Sequence, residues 1–307
     1  MPLISVIMPV FNASDYIREA IESILNQTES DFEFLICDDG STDNSLSIIK
    51  SYNDKRIRIF ENKVNSGNLK TTNLLFSKCS GDFIVIQDAD DYSDVNRFKI
   101  QLREFYSDNG IGMVGSNYEI FSGNHNSISC GFLPLENETI KQVMQKEVIP
   151  VLYASVMVKK NVLQKVGDFR IFFNRKGYAD LDWLARCSEN TKVVNCKDIL
   201  YYYRSHETAF TFKEKTNKNL LLNNIHLLLV KAHKDRLLGK NDFFEKNNLK
   251  EMKKYISNNF VRRAENSFWE KDIKMSYSFL FKALNACFYN AKIYRTFLYI
   301  VKKSFVQ

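Results

Sequence analysis

The chain has no Cys-x-x-Cys pair; its six cysteines, Cys37, Cys79, Cys130, Cys187, Cys196 and Cys287, are scattered. That spacing disfavours a zinc framework. The N-terminus runs straight into a strand pattern with no basic region or cleavage site. The expected compartment is therefore reduced and cytoplasmic. Four prolines and 11 glycines in 307 residues leave little material for linkers. No apolar stretch reaches the roughly 18 residues a spanning helix needs. No Gly-x-x-x-x-Gly-Lys-Ser/Thr loop is present, no Gly-x-Gly-x-x-Gly fingerprint is expected anywhere in the chain, and no Gly-x-Ser-x-Gly elbow exists. P-loop enzymes, dinucleotide oxidoreductases and serine hydrolases are thereby disfavoured.

What is present is an ordinary globular composition, 45 % hydrophobic and 26 % charged. The net charge of +7 is unevenly placed. From Lys213 onward about 20 Lys and Arg face about 8 Asp and Glu, so the tail carries roughly +12 and the first 212 residues roughly −5. An acidic body can hold a metal and its chemistry, whereas a basic tail can approach an anionic surface.

The first ~120 residues alternate apolar runs with helical patterns. Strands are expected at 4–8, 32–37, 57–60 and 83–86. Helices are expected from Ile17, with Ser14 as N-cap, and over 45–52 and 69–78. Near-continuous apolar strands separated by helices predict an α/β fold with a mostly parallel sheet covered on both faces. Further strands are expected at 112–118 and 156–159, and a helix from Asp180. The expected division is a catalytic domain over 1–212 and a basic helical extension over 213–307. The extension has one amphipathic run through Leu220, Leu221, Ile225, Leu228 and Leu229, and a second over 279–301.

Parallel sheets bind ligands at the carboxyl ends of their strands. Polar clusters fall at four such ends: Pro9-Val10-Phe11-Asn12, Asp38-Asp39-Gly40-Ser41, Asn65-Ser66-Gly67-Asn68 and Asp88-Ala89-Asp90-Asp91. Three carboxylates in four residues repel one another unless a cation compensates. Hard oxygen ligands suit Mn²⁺ or Mg²⁺ bound to a diphosphate; the plainer reading is a solvated acidic turn capping a helix. Asp38 or Asp39 can accept from a base N–H or a ribose hydroxyl, or can simply shape the turn. A helix N-terminus after Asn65-Ser66-Gly67, with Lys70 nearby, can meet a phosphate. Asp180-Leu181-Asp182-Trp183 offers a general base or an acidic first turn. Tyr202-Tyr203-Arg204-Ser205-His206 adds a cation and an imidazole.

Taken in order, these motifs resemble the family-2 inverting glycosyltransferases of GT-A fold, of the bacterial cell-surface polysaccharide kind. The resemblance rests on the runs 5–12, 23–28, 38–43, 65–67, Asn73, 81–83, 88–91, 166–169 and 203–206, about two-thirds of the chain. It implies that Pro9, Phe11 and Asn12 line a nucleotide pocket and that Asp38 or Asp39 reads a uracil-like base edge. It implies further donor contacts from Asn65, Gly67, Lys70, Asn73, Asp88, Ala89, Asp90 and Arg204. Asp90, Asp91 and His206 are the implied metal ligands, and Asp180 the implied base. The chain departs from the family in two places: Ala179 stands where the family has Glu, and Thr72 where it often has Arg. The first departure leaves Asp182 as a second candidate base.

Such a resemblance implies transfer of a sugar from a nucleotide-sugar, UDP-linked by expectation, to a hydroxyl of a glycan or lipid-linked acceptor. Capsule or lipopolysaccharide synthesis is the implied setting. The basic tail either rests on the inner face of the cell membrane, meets the acceptor, or packs on its own chain or an oligomer partner; no nucleic-acid role is expected. Two other readings are a non-catalytic nucleotide-sugar-binding relative, suggested by Ala179, and a nucleotidyltransferase. The latter needs a Gly-rich, Arg-containing loop after the first strand, which Pro9-Val10-Phe11-Asn12 is not.

Overall fold

A computed structural model describes residues 1–122, 125–144, 150–175, 178–206, 224–245 and 248–304. The chain divides into two compact units, 1–215 and 216–307. The expected boundary after residue 212 falls outside the described residues, as do Leu220 and Leu221.

In the first unit, the apolar β-branched runs form β1 (Ile4–Val10), β2 (Phe32–Asp38), β3 (Ile57–Glu61) and β4 (Phe83–Ile86). These four strands are parallel in the order β3-β2-β1-β4. Between them run α1 (Ile17–Leu25), α2 (Ser45–Lys50) and α3 (Asn68–Phe76). β5 (Tyr92–Ser93) and α4 (Arg97–Ser107) follow. The sheet continues with β6 (Ile111–Ser122), β7 (Ser127–Gly131), β8 (Met157–Lys159) and β9 (Lys192–Ser205). β8 is antiparallel to β4 and β6, β9 is parallel to β6, and β5 pairs with the far edge of β9. Helices α5 (Asn137–Met144), α6 (Lys160–Val166) and α7 (Ala179–Asn190) complete the unit.

Alternation along each strand divides the core. Ile4, Val6, Met8 and Val10 of β1 join Ile17, Ala20, Ile21 and Ile24 of α1 and Phe98, Leu102 and Phe105 of α4. Spacing of three and four residues puts those α1 side chains on one stripe. Burying each of the three isoleucines is worth about 1.5–3 kcal/mol. On another side of the unit Phe76 of α3 stacks near Phe169 and Trp183, at 5.7 and 5.9 Å between centroids.

Three local expectations need correction. Ser14 does not cap α1: the helix begins after Tyr16, and the Ser14 N–H donates to Asp43 instead. The expected run over 279–301 is two helices, because Cys287 adopts extended backbone and the Asn290 side chain turns inward to donate to Ser257 and Asn258. A Gly-x-Gly-x-x-Gly spacing does occur at Gly110-Ile111-Gly112-Met113-Val114-Gly115, but it leads into and lies within β6. A Cβ at Gly112 or Gly115 would sit 2.2 Å from Thr191 or Asn195, so these glycines serve close strand packing, not a dinucleotide.

The second unit contains α8 (Ile225–Leu237), α9 (Leu249–Trp269), α10 (Ile273–Ala286) and α11 (Ala291–Ser304). Val261, Ala264, Phe268, Leu280, Ala283, Ile293 and Ile300 form its core. Asn248 and Asp272 cap α9 and α10 through their side chains. Among the described residues no helix is long and apolar enough to cross a membrane.

Candidate active site

The four polar clusters lie at or just beyond the carboxyl ends of β1 to β4, as the parallel order requires. At β1, Pro9 is buried in the strand, and Phe11 is 46 % exposed just past its end. Asn12 has φ +49 and braces the next loop: its N–H donates to Ser41 and its Oδ1 accepts from the Thr42 N–H at 2.8 Å.

The two adjacent acids after β2 have different surroundings. Asp39 Oδ1 accepts from Asn62, the Ser66 N–H and the Ser66 hydroxyl, and its Oδ2 accepts from the Gly67 N–H at 2.8 Å. Burial pushes its pKa up, but these donors outweigh burial and hold it below the usual carboxylate range. Asp38 is equally buried; its Oδ2 accepts from the Ser41 N–H, and its Oδ1 is buried with no hydrogen-bond partner among the described residues. The loops close tightly around this pair. Gly40 has φ +72, and a Cβ there would lie 2.9 Å from the backbone of Val64 and Asn65. Gly67, at φ +97, leaves no room beside the Asn174 amide.

Asn65 is held by Arg175, whose Nη2 donates to its carbonyl and to its Oδ1. Lys70 is exposed on the first turn of α3. Asn73 is occupied at both ends by Phe169, donating to its carbonyl and accepting its N–H. This makes it a clamp between α3 and the 167–173 segment.

After β4 the chain turns sharply. Gln87, fully buried, donates to the carbonyls of both Asp88 and Asp91 and so closes the turn. Its Oε1 accepts from Ser93 and from Arg97. Arg97 is 0 % exposed and also donates to the carbonyls of Ile86, Ala154 and Val156. A guanidinium thus ties β4, β5 and the approach to β8 behind the acidic turn. Burial lowers its pKa only to about 10, so it remains a cation at neutral pH. Nothing in the sequence separates Gln87 and Arg97 from ordinary strand-end and helix residues.

Asp91 is buried: Oδ1 accepts the Arg204 N–H at 2.7 Å, and Oδ2 has no hydrogen-bond partner among the described residues. Burial, then Asp90 and Asp88, push its pKa well above the usual range, against the smaller lowering by the Arg204 N–H and the Tyr201 hydroxyl. Asp88 is pushed up to about 7 by burial, then by Asp90 and by Asp180. Ala89 is buried in the same turn. Asp90 Oδ2 lies 2.9 Å from His206 Nε2, and its carbonyl accepts from Arg204. Arg204 also pairs with Glu19 and lies over the rings of Tyr16 and Phe121. β9 therefore delivers Arg204 and His206 to a turn more than a hundred residues away in sequence.

Ala179 and Asp180 open α7 after Tyr178, which has φ +64. The influence of Asp180 on Asp88 places it within electrostatic reach of the acidic turn. Burial raises its own pKa. Tyr153 feels both carboxylates and packs on Phe169 and Trp183. Asp182 differs: it is fully buried and paired with Arg186 at 3.0 Å and Arg170 at 3.3 Å. It anchors α7 inside the fold, whereas Asp180 is the α7 carboxylate whose charge acts on Asp88.

Among the described residues no three His, Cys, Asp or Glu side chains form a ready metal cage. A divalent cation on a diphosphate does not need one. Mg²⁺ commonly takes one or two carboxylates and fills its remaining positions with phosphate oxygens and water. The unpartnered Asp91 Oδ2 and the raised pKa values across Asp88 and Asp91 fit such an ion.

The glycosyl transferase family 2 model matches residues 5–167, and the chain belongs to that family. It is 31 % identical to the Escherichia coli UDP-Glc:alpha-D-GlcNAc-diphosphoundecaprenol beta-1,3-glucosyltransferase WfgD, over 69 % of this chain and 82 % of that one. It is 34 % identical to an uncharacterized glycosyltransferase of Haemophilus influenzae, over 52 % of this chain and 65 % of the relative, just under two thirds of the latter's length. Its fold is similar to that of S. aureus TarS 1–349 in complex with UDP-GlcNAc, with a TM-score of 0.60 at 18 % identity over 90 % of each chain. The expected GT-A fold is thereby borne out.

Proposed function

We propose that this glycosyltransferase moves a sugar from a UDP-sugar to a hydroxyl of a glycan or lipid-linked acceptor with inversion, in the synthesis of a cell-surface polysaccharide. The observation that carries this reading is the position of Asp180: one carboxylate, raised by burial, within electrostatic reach of the acidic turn. A single displacement needs a single base.

The residues divide the work. Asp38 Oδ1, an unpartnered buried acceptor, receives the imide N–H of uracil, with Phe11 against the ring. Asp39 holds the Ser66-Gly67 backbone in place around the nucleotide. Asp91 and Asp90 hold a divalent cation, Mn²⁺ or Mg²⁺, with His206 beside Asp90. Bound there, the ion supplies charge stabilisation to the departing diphosphate. Arg204 and the first turn of α3 with Lys70 add positive charge around the phosphates. Asp180 takes the acceptor hydroxyl proton as the oxygen attacks the anomeric carbon, and the sugar–phosphate bond breaks on the opposite face.

The test separates binding from chemistry. Asp180→Asn is expected to bind UDP-sugar as the wild type does and to lose transfer by about 10²- to 10⁴-fold. Asp91→Ala is expected to lose Mn²⁺-dependent donor affinity. Full turnover by Asp180→Asn would remove the base assignment. Normal binding without turnover in the wild type, across acceptors, would favour the non-catalytic reading that Ala179 suggests.

A further inference from the structure

We propose that the exposed face of α11 is a docking surface for an anionic lipid bilayer. Ile293, Thr296 and Ile300 bury one side of this helix. At 100° per residue, the opposite side carries two adjacent stripes. One is apolar, Tyr294 and Leu298, of which Leu298 is 67 % exposed; half-buried Phe297 borders it, with its ring edge-on to Tyr277 at 6.0 Å. The other is basic, with Arg295 and Lys302 exposed. The Tyr294 hydroxyl donates to the carbonyl of Phe288, a residue 71 % exposed, so the apolar stripe continues past the helix start.

The residues 291–304 include four Lys or Arg and no Asp or Glu. Lys292 faces Glu265 at 3.9 Å, while among the described residues no ion pair is found for Arg295 or Lys302. Water is a poor neighbour for a continuous apolar stripe, and such stripes mark contact surfaces. The paired basic stripe selects the partner. A second copy of the chain, docked by a two-fold axis on this face, sets Arg295 and Lys302 near their own counterparts with no carboxylate on the helix to offset them. An anionic membrane interface satisfies both stripes: headgroups take the guanidinium and ammonium, and the acyl boundary takes Leu298 and Phe297. α11 has 14 residues, a length suited to lying in the interface plane and too short to span. The inference stands on the second unit alone and does not depend on the donor-site reading.

The full chain is sedimented with vesicles of phosphatidylcholine alone and with vesicles containing about a third phosphatidylglycerol. Binding is expected only to the anionic vesicles, and to weaken steeply as salt is raised. Arg295→Glu with Lys302→Glu is expected to reduce binding by more than tenfold, since each basic residue near the surface contributes about fivefold. Leu298→Ser is expected to reduce it by roughly tenfold. These are surface positions, so thermal unfolding and UDP binding in solution are expected to stay at wild-type values, which separates this proposal from the active-site account. Equal binding by the variants would overturn the proposal. So would equal binding to neutral vesicles, or no binding to either. Self-association through this face, or capture of a single-stranded oligonucleotide while vesicles are ignored, would overturn it as well.

Discussion

Asp38 and Asp39 are adjacent, equally buried and chemically identical, yet their surroundings predict opposite consequences for the same substitution. Asp39 accepts four protein donors. In Asp39→Asn the better amide orientation keeps three of these as neutral bonds and sets an NH₂ against the Gly67 N–H. A hydrogen bond to a charged group is worth about 1.5–3 kcal/mol and a neutral one about 1 kcal/mol. Three weakened bonds and one lost bond give a destabilisation of about 3–5 kcal/mol. Asp38 makes a single hydrogen bond to the Ser41 N–H, which an amide oxygen can retain. Asp38→Asn is therefore expected to cost folding no more than about 1 kcal/mol. Its cost falls on binding, where the amide presents a donor to the base N–H and lowers UDP affinity roughly 10- to 100-fold. Urea unfolding measures the first effect and titration calorimetry with UDP and Mn²⁺ the second. A stable Asp39→Asn together with an Asp38→Asn that binds UDP normally would refute this division of roles.

Two further predictions concern the acidic turn. Arg97→Met leaves the carbonyls of Ile86 and Ala154 and the Gln87 amide oxygen short of a donor, and is expected to destabilise the first unit by about 3–5 kcal/mol. Arg97→Lys restores the charge without the planar fork and is expected to recover only part of this in urea unfolding. The second is a pH dependence. Asp88, with a folded pKa of about 7 against an ordinary 3.8, keeps its proton in the native state where the unfolded chain has released it. Its contribution to stability is present below about pH 4, falls as pH rises toward 7, and is flat beyond. Thermal unfolding from pH 5 to 7 is expected to show a shallower decline in Asp88→Asn than in the wild type. Binding of Mn²⁺ with UDP is expected to release protons over the same range.

The sheet was legible because its strands are nearly continuous apolar runs and the ligand-facing clusters interrupt them at the ends. Those clusters sit together for the same reason that the strands are parallel. Which of two neighbouring acids stays open was not legible. That depends on Asn62, Ser66 and Gly67 arriving from the following loop, a tertiary event without a pattern in the residues 38–39. Asn73 reads as a polar site residue, yet its amide is spent on the backbone of Phe169. Asp182 reads like a second base, yet Arg170 and Arg186 enclose it. Gln87 and Arg97 escaped notice because a buried clamp has no local signal: its acceptors lie on β4, β5 and the segment before β8. β5 has two residues and is strand only through its pairing with β9. In the tail, the break between α10 and α11 depends on Asn290 reaching Ser257 and Asn258, some 30 residues earlier in the chain.

The most direct test of the central claim is a panel of nucleotide-sugars offered to the wild-type protein, with Mn²⁺ and with chelator, scored for binding and for released nucleoside diphosphate. A UDP-sugar is expected to bind in a metal-dependent manner, with UDP released from it. A folded protein that binds none of the donors would contradict it.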